Sequence, residues 1–134
     1  MSELLRGGQY LRVTIPRVET MTNAAGEKQY TTYEVHTETN LPDYTGGDLK
    51  VKRRYNDFLW LYERLKEEYT LTKNRKDPIA PPAKIPGKKV MGRFKKSFIE
   101  KRRAHLEVWL NELSSHPVWP TLKPFRMFLS EPNM

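Results

Sequence analysis

The chain has 134 residues, no cysteine and a formal net charge of +8. This length fits one domain with its own core, and the lack of cysteine excludes a disulfide-built secreted scaffold. We therefore expect a cytoplasmic protein. No apolar run approaches the roughly 20 residues needed to cross a bilayer, so any contact with a membrane is expected to be peripheral.

Three segments have the alternating or β-rich pattern of strands, and they precede any helical pattern. They cover residues 10–19, 28–39 and 49–55. Turn-forming residues at 23–27 and a polar loop at 42–48 separate them. This spacing predicts a three-stranded antiparallel sheet.

Helical patterns follow the strands. Asn56 is predicted to cap a first helix, and Ser97 with Glu100 to form the capping box of a second helix that ends near Ser114. Pro124 is predicted to begin a short closing helix. The order indicates an α+β domain, in which the sheet packs against a helical subdomain of three to four helices.

A proline-rich loop at residues 77–87 leads into the most basic part of the chain. Its four prolines exclude a regular helix. From Lys84 to Arg103 there are nine basic residues and one acidic residue, which accounts for the whole net charge. Apolar side chains among these cations suit an anionic membrane surface better than nucleic acid. Nucleic-acid binding remains the remote alternative, because a basic stripe is also its electrostatic signature.

One cluster combines cations with an aromatic ring where the third strand meets the first helix. Strand alternation places Arg54 on the polar face, and Tyr55 follows it. A guanidinium offers a planar fork of donors for phosphate oxygens, and an aromatic ring can lie beneath a sugar-like ring. Arg102, early in the second helix, and Lys88, after the proline-rich loop, are expected to converge on the same pocket.

The sequence resembles the PX (phox-homology) family of phosphoinositide-binding domains, of the sorting-nexin type. The matching motifs are Arg-Arg-Tyr-Asn-Asp-Phe at 53–58, Ile-Pro-Gly-Lys at 85–88 and Phe-Ile-Glu-Lys-Arg-Arg at 98–103. The resemblance covers about residues 9–131. It implies one PX-like domain there, with an N-terminal tail at 1–8 and a C-terminal tail at 132–134.

The resemblance also implies a pocket for the headgroup of phosphatidylinositol 3-phosphate. By position, Arg54 would hold the 3-phosphate, and Tyr55 would pack against the inositol ring. Arg102 would bond the 4- and 5-hydroxyls of the ring. Lys88 would meet the 1-phosphate, with Lys89 as the alternative register.

The segment after the proline-rich loop is expected to meet the membrane. Val90, Met91 and Phe94 are candidates for insertion, and packing beneath the loop is the other interpretation of the same side chains. The cations around them would act through nonspecific attraction to the anionic surface. These cations are Lys84, Lys89, Arg93, Lys95 and Lys96.

Together these expectations describe a non-enzymatic membrane-targeting module. It would recognise phosphatidylinositol 3-phosphate as a peripheral protein on endosomes and act in protein sorting. The alternative is a PX-like adaptor whose main partners are trafficking proteins. No catalytic residue, metal or cofactor is expected, because His36, His105 and His116 lack metal-ligand spacing and no cysteine nucleophile exists.

Overall fold

The computed structural model describes residues 8–87 and 92–134. Within these ranges three strands come first and three α-helices follow, so the predicted α+β order is confirmed. None of these helices is both long and apolar enough to pass through a bilayer. The elements are β1 (Leu11–Thr22), β2 (Lys28–Thr39), β3 (Asp48–Arg54), α1 (Tyr55–Thr72), α2 (Lys96–Ser114) and α3 (Lys123–Ser130), with a 3₁₀ turn at Trp119–Thr121.

The strands form one antiparallel sheet in the order β1-β2-β3. Leu11, Val13 and Ile15 are buried while their neighbours in β1 are exposed, as the alternation predicts. This one-sided burial ends at an irregularity in the pairing between Thr14 and Arg17. Beyond it, the side chains of β1 are half-buried or exposed, and Val18 still packs against the core.

Side chains of α2 cover the outer edge of β1. Asn111 accepts a hydrogen bond from the Val13 N–H at 3.0 Å and donates one to the Val13 carbonyl at 2.7 Å. The Glu107 carboxylate accepts the Ile15 N–H at 2.7 Å, and Arg103 donates to the Ile15 carbonyl at 3.0 Å. Residues four apart on one helical face thus satisfy a strand edge, which fixes α2 along β1.

The core lies between the sheet and the helices. The Phe58 ring of α1 meets Tyr33 of β2 edge-on with centroids 5.8 Å apart. It meets Phe128 of α3 at 4.9 Å. All three rings are buried. Because these contacts join β2, α1 and α3, they hold the start of α1 against the end of the sheet.

The start of α1 differs from the prediction. The helix begins at Tyr55, one residue before the expected cap at Asn56. The carboxylate of Asp57 accepts the backbone N–H of Arg54 at 2.8 Å. The prediction for Asn56 was wrong because the last strand residue, Arg54, occupies the N-cap position and places Asn56 inside the first turn.

The capping box predicted for α2 was also wrong. The helix begins at Lys96, and no side chain caps it. Glu100 instead forms an ion pair with Arg103 at 2.7 Å, one turn further along the helix. The Glu100 carboxylate therefore pairs with the arginine three residues later and does not cap the N-terminus of the helix.

Candidate functional site

A pocket lies at the end of the sheet, where β2 and β3 meet the first turns of α1 and α2. Its volume is about 200 Å³. It brings together three of the predicted headgroup residues, Arg54, Tyr55 and Arg102, and adds Arg93. Within the described part of the chain no carboxylate lines it. Three guanidiniums with no carboxylate among the described lining residues give the pocket a positive field that favours an anion.

Arg54 is an exposed guanidinium of the pocket. It ends β3 opposite Thr32, and its guanidinium lies over the ring of Tyr30 at 4.0 Å from the centroid. Among the described residues no carboxylate forms an ion pair with it. The ring supports one face of the guanidinium and leaves its N–H edges available, as bidentate binding of a phosphate requires.

Arg102 is the buried guanidinium, with 8% of its surface exposed. One amino group donates to the Gly87 carbonyl at 2.6 Å. The guanidinium lies 3.9 Å from the ring centroid of Tyr55 and 4.6 Å from that of Phe98. The Tyr33 hydroxyl lies near the guanidinium, whose charge and hydrogen-bonding capacity partly offset the rise that burial causes in the pKa of Tyr33. Neutral groups therefore fix this side chain and leave its charge without a compensating anion.

The two tyrosines beside Arg102 stay protonated. Burial raises the pKa of Tyr33 and of Tyr55, while the charge of Arg102 lowers both to a smaller extent. The Tyr55 hydroxyl donates to the carbonyl of Pro86. Tyr55 and Arg102 thus hold the carbonyls of consecutive residues, Pro86 and Gly87, and fix the end of the proline-rich loop at the pocket wall.

Two residues that the sequence assigned to the membrane surface line the pocket. The guanidinium of Arg93 lies 4.8 Å from the Phe94 ring centroid, and both side chains contribute to the wall. Arg93 is exposed and Phe94 is half-buried. The turn that carries them is therefore part of the pocket rim.

The other predicted contacts are placed as follows. Lys84, Lys95 and Lys96 are exposed and do not line the pocket. The predictions for the remaining four residues lie outside the described residues. These are Lys88, Lys89, Val90 and Met91.

Sequence reasoning missed Tyr30 and Tyr33. Tyr30 lies on β2 two residues before Thr32, the partner of Arg54, which makes it the diagonal neighbour of Arg54 on the same face. The signal that finds it is the register of β2 against β3. Tyr33 lies near Arg102 only because α2 packs against the sheet in this position, which the sequence pattern does not show.

The comparisons with known proteins agree with this fold. The PX domain family matches residues 44–132. Sorting nexin 1 of Arabidopsis thaliana is 38% identical over 122 residues, which cover 90% of this chain and 28% of that protein. Mouse sorting nexin-12 is 34% identical over 130 residues, which cover 91% of this chain and 72% of that protein.

A solved structure shows the same architecture. A designed CISK-PX domain superposes with a TM-score of 0.67 at 28% sequence identity, covering 88% of this chain and 97% of that one. The family match and the superposition define the class of the protein, and the chain belongs to the PX domain family. Its sequence is similar to segments of sorting nexins, and it spans 28% of the plant protein and 72% of the mouse protein.

Proposed function

We propose that the chain binds the headgroup of phosphatidylinositol 3-phosphate in this pocket and so attaches to the cytoplasmic face of endosomes in protein sorting. The observation that carries the proposal is the pairing of an exposed guanidinium, Arg54, with an enclosed one, Arg102, in a pocket that has no carboxylate among its described lining residues. A phosphate monoester supplies the missing acceptors for Arg54, and Tyr55 offers a ring face for the inositol.

The surroundings of Arg102 favour a hydroxyl over a phosphate as its ligand. Two aromatic rings enclose the guanidinium, and one of its amino groups is already bonded to Gly87. The donors that remain can reach a small neutral acceptor, whereas a phosphate needs space and several donors. This supports a ring that carries hydroxyls at positions 4 and 5 and a phosphate at position 3.

Membrane attachment needs more than the pocket. Each charge-assisted hydrogen bond to the headgroup contributes about 1.5–3 kcal/mol, and each nearby cation about 1 kcal/mol at an anionic surface. Insertion of Val90, Met91 and Phe94 remains part of the proposal and adds about 1.5–3 kcal/mol for each side chain that is fully buried. In this scheme the pocket gives selectivity, and the surrounding cations and apolar side chains prolong residence on the membrane.

Liposome flotation with each phosphoinositide in turn tests the proposal, with competition by soluble inositol 1,3-bisphosphate. We expect flotation on phosphatidylinositol 3-phosphate, release by the soluble headgroup, and no shift of RNA or DNA in a parallel gel. Equal flotation on every anionic vesicle would contradict the pocket assignment. A nucleic-acid shift without lipid flotation would favour the nucleic-acid alternative.

A further inference from the structure

Side-chain donors hold the proline-rich loop at regular intervals. The Nε2 atom of His116 bonds the Ala80 carbonyl at 3.1 Å, and the indole N–H of Trp109 donates to the Ala83 carbonyl at 2.8 Å. The next carbonyl in this series, three residues further along, is that of Pro86, which a pocket tyrosine bonds. A repeat of three residues is that of an extended polyproline helix, so one row of carbonyls faces the domain along the loop.

The loop ends at the headgroup pocket. Tyr55 donates to the Pro86 carbonyl, and Arg102 donates to the Gly87 carbonyl at 2.6 Å. Both side chains line the pocket. Three of the residues in 80–87 are prolines. Because proline fixes φ, the segment is stiff, and a shift at its first carbonyl is passed on to the end that Tyr55 and Arg102 hold.

His116 is fixed on both sides of its ring. Its Nδ1 atom accepts the backbone N–H of Val118 at 3.0 Å, so the proton lies on Nε2 and is donated to Ala80. The ring stacks on the buried Trp119 with centroids 4.4 Å apart and planes at 20°. Burial lowers the pKa of His116, which favours this neutral form. The histidine therefore ties the start of the proline-rich loop to the 3₁₀ turn.

We propose that His116 is a positioning residue for the headgroup pocket. It acts through the proline-rich loop, whose carbonyls set the places of Tyr55 and Arg102. His116 is not among the described residues that line the pocket, so it would act on the headgroup only through this loop. The proposal rests on the proposed function, because the ligand is the same inositol headgroup.

Two variants of His116 separate its contact with the loop from its contact with the 3₁₀ turn. In His116→Asn the amide oxygen takes the place of Nδ1 and keeps the acceptor for Val118, but the side chain is too short to reach Ala80. In His116→Gln the amide nitrogen takes the place of Nε2 and keeps the donor to Ala80. His105→Asn, at an exposed histidine of α2, is the control for loss of a histidine.

Calorimetry with short-chain soluble phosphatidylinositol 3-phosphate measures the affinity of the pocket without a membrane. We expect His116→Asn to lose about threefold to tenfold in affinity, the scale of one hydrogen bond. His116→Gln should recover most of this loss, and His105→Asn should bind as the wild type does. Thermal melting confirms that each variant is folded at the temperature of the measurement.

A double-mutant cycle tests whether the effect passes along the loop. Tyr55→Phe removes the hydroxyl that bonds Pro86 and keeps the ring for the inositol. We expect His116→Asn to cost less affinity in the Tyr55→Phe background than in the wild type, because one link between the loop and the pocket is already broken there.

Unchanged affinity in His116→Asn would overturn the proposal. An equal loss in His116→Gln, or additive losses in the cycle, would overturn it as well, since the histidine would then support the fold and not the position of the loop. If the wild type does not bind the soluble headgroup, the proposed function fails and this proposal with it. If the wild type binds and His116→Asn behaves as the His105→Asn control does, only this proposal fails.

Discussion

The neighbouring residues Arg53 and Arg54 place their guanidiniums in different surroundings. Arg54 lines the pocket, whereas Arg53 lies at the C-terminal end of α3. Arg53 is 1% exposed and donates to the carbonyls of Phe128 at 2.9 Å, Met127 at 3.3 Å and Glu131 at 2.5 Å. The last carbonyls of a helix lack intrahelical donors and carry partial negative charge, so α3 supplies the acceptors that Arg53 needs. Among the described residues, no helix-end carbonyl in the pocket accepts a hydrogen bond from Arg54.

The dipeptide Arg102–Arg103 divides in a related way. Arg103 forms ion pairs with Glu100 and Glu107 and donates to the Ile15 carbonyl. Arg102 faces the pocket, where a carbonyl, a hydroxyl and two rings hold it without a carboxylate.

These comparisons show that the residue type does not decide the role of an arginine in this fold. Its role depends on how many acceptors the protein itself supplies. Where carbonyls or carboxylates surround the guanidinium, the side chain stabilises the domain. Arg102 contacts one carbonyl and two aromatic rings and forms no ion pair among the described residues, so in the proposed function its remaining acceptors come from the ligand.

The sharpest test of the comparison is Arg54→Ala. We expect it to abolish flotation on phosphatidylinositol 3-phosphate, because two charge-assisted hydrogen bonds of about 1.5–3 kcal/mol each correspond to a loss on the order of a hundredfold or more. The thermal midpoint should stay within a few degrees, since no core volume is removed. Lys52→Ala, two residues earlier on the same face of β3, is the control. Unchanged binding in Arg54→Ala would remove Arg54 from the pocket.

Arg53→Met should affect stability instead of binding. Methionine keeps part of the apolar packing but leaves the carbonyls at the end of α3 without their donor, so we expect a loss of about 3 kcal/mol in the free energy of unfolding. Urea denaturation measures it, with Arg54→Met as the matched control. If the two variants unfold at the same urea concentration, the contact of Arg53 with α3 does not stabilise the fold.

Arg102→Ala and Arg103→Ala apply the same comparison on α2. Arg102→Ala should lower affinity for the lipid by about tenfold at both low and high salt, because direct bonds in an enclosed site are weakly screened. It should also blur the choice among phosphoinositides. Arg103→Ala should keep the binding and lose about 1 kcal/mol of stability. If Arg102→Ala loses affinity only at low salt and keeps its lipid selectivity, Arg102 acts through long-range attraction to the anionic surface and not through direct bonds to the headgroup.

Tyr33→Phe is expected to have the smallest effect. It removes the hydroxyl that lies near the Arg102 guanidinium and should weaken headgroup binding by a few-fold, the scale of one hydrogen bond of about 0.5–1.5 kcal/mol. Tyr44→Phe is the control, because the Tyr44 hydroxyl donates to the Pro120 carbonyl at 2.7 Å and Tyr44 does not line the pocket. That variant should lose stability and keep its affinity. Equal affinities in the two variants would show that Tyr33 does not position Arg102.

The sequence by itself determined the order of the elements, the antiparallel sheet and the outward face of Arg54. These follow from local periodicity, because the alternation in a strand and the spacing on a helix are written in neighbouring residues. The helix starts were predicted less well. Asp57 and Glu100 each had more than one hydrogen-bond partner within a turn, and sequence alone does not rank such competing partners.

Only the tertiary structure decided which side chains complete the pocket. Arg102 and Arg103 differ by about 100° around the helix axis, and the docking of α2 along β1 selects which of them faces the pocket. Tyr30 meets Arg54 through strand register, and Lys28 of β2 lines one surface depression with Arg93 and Lys95, which lie just before α2. Contacts between residues so far apart in the chain depend on packing of the whole domain, which no local pattern encodes.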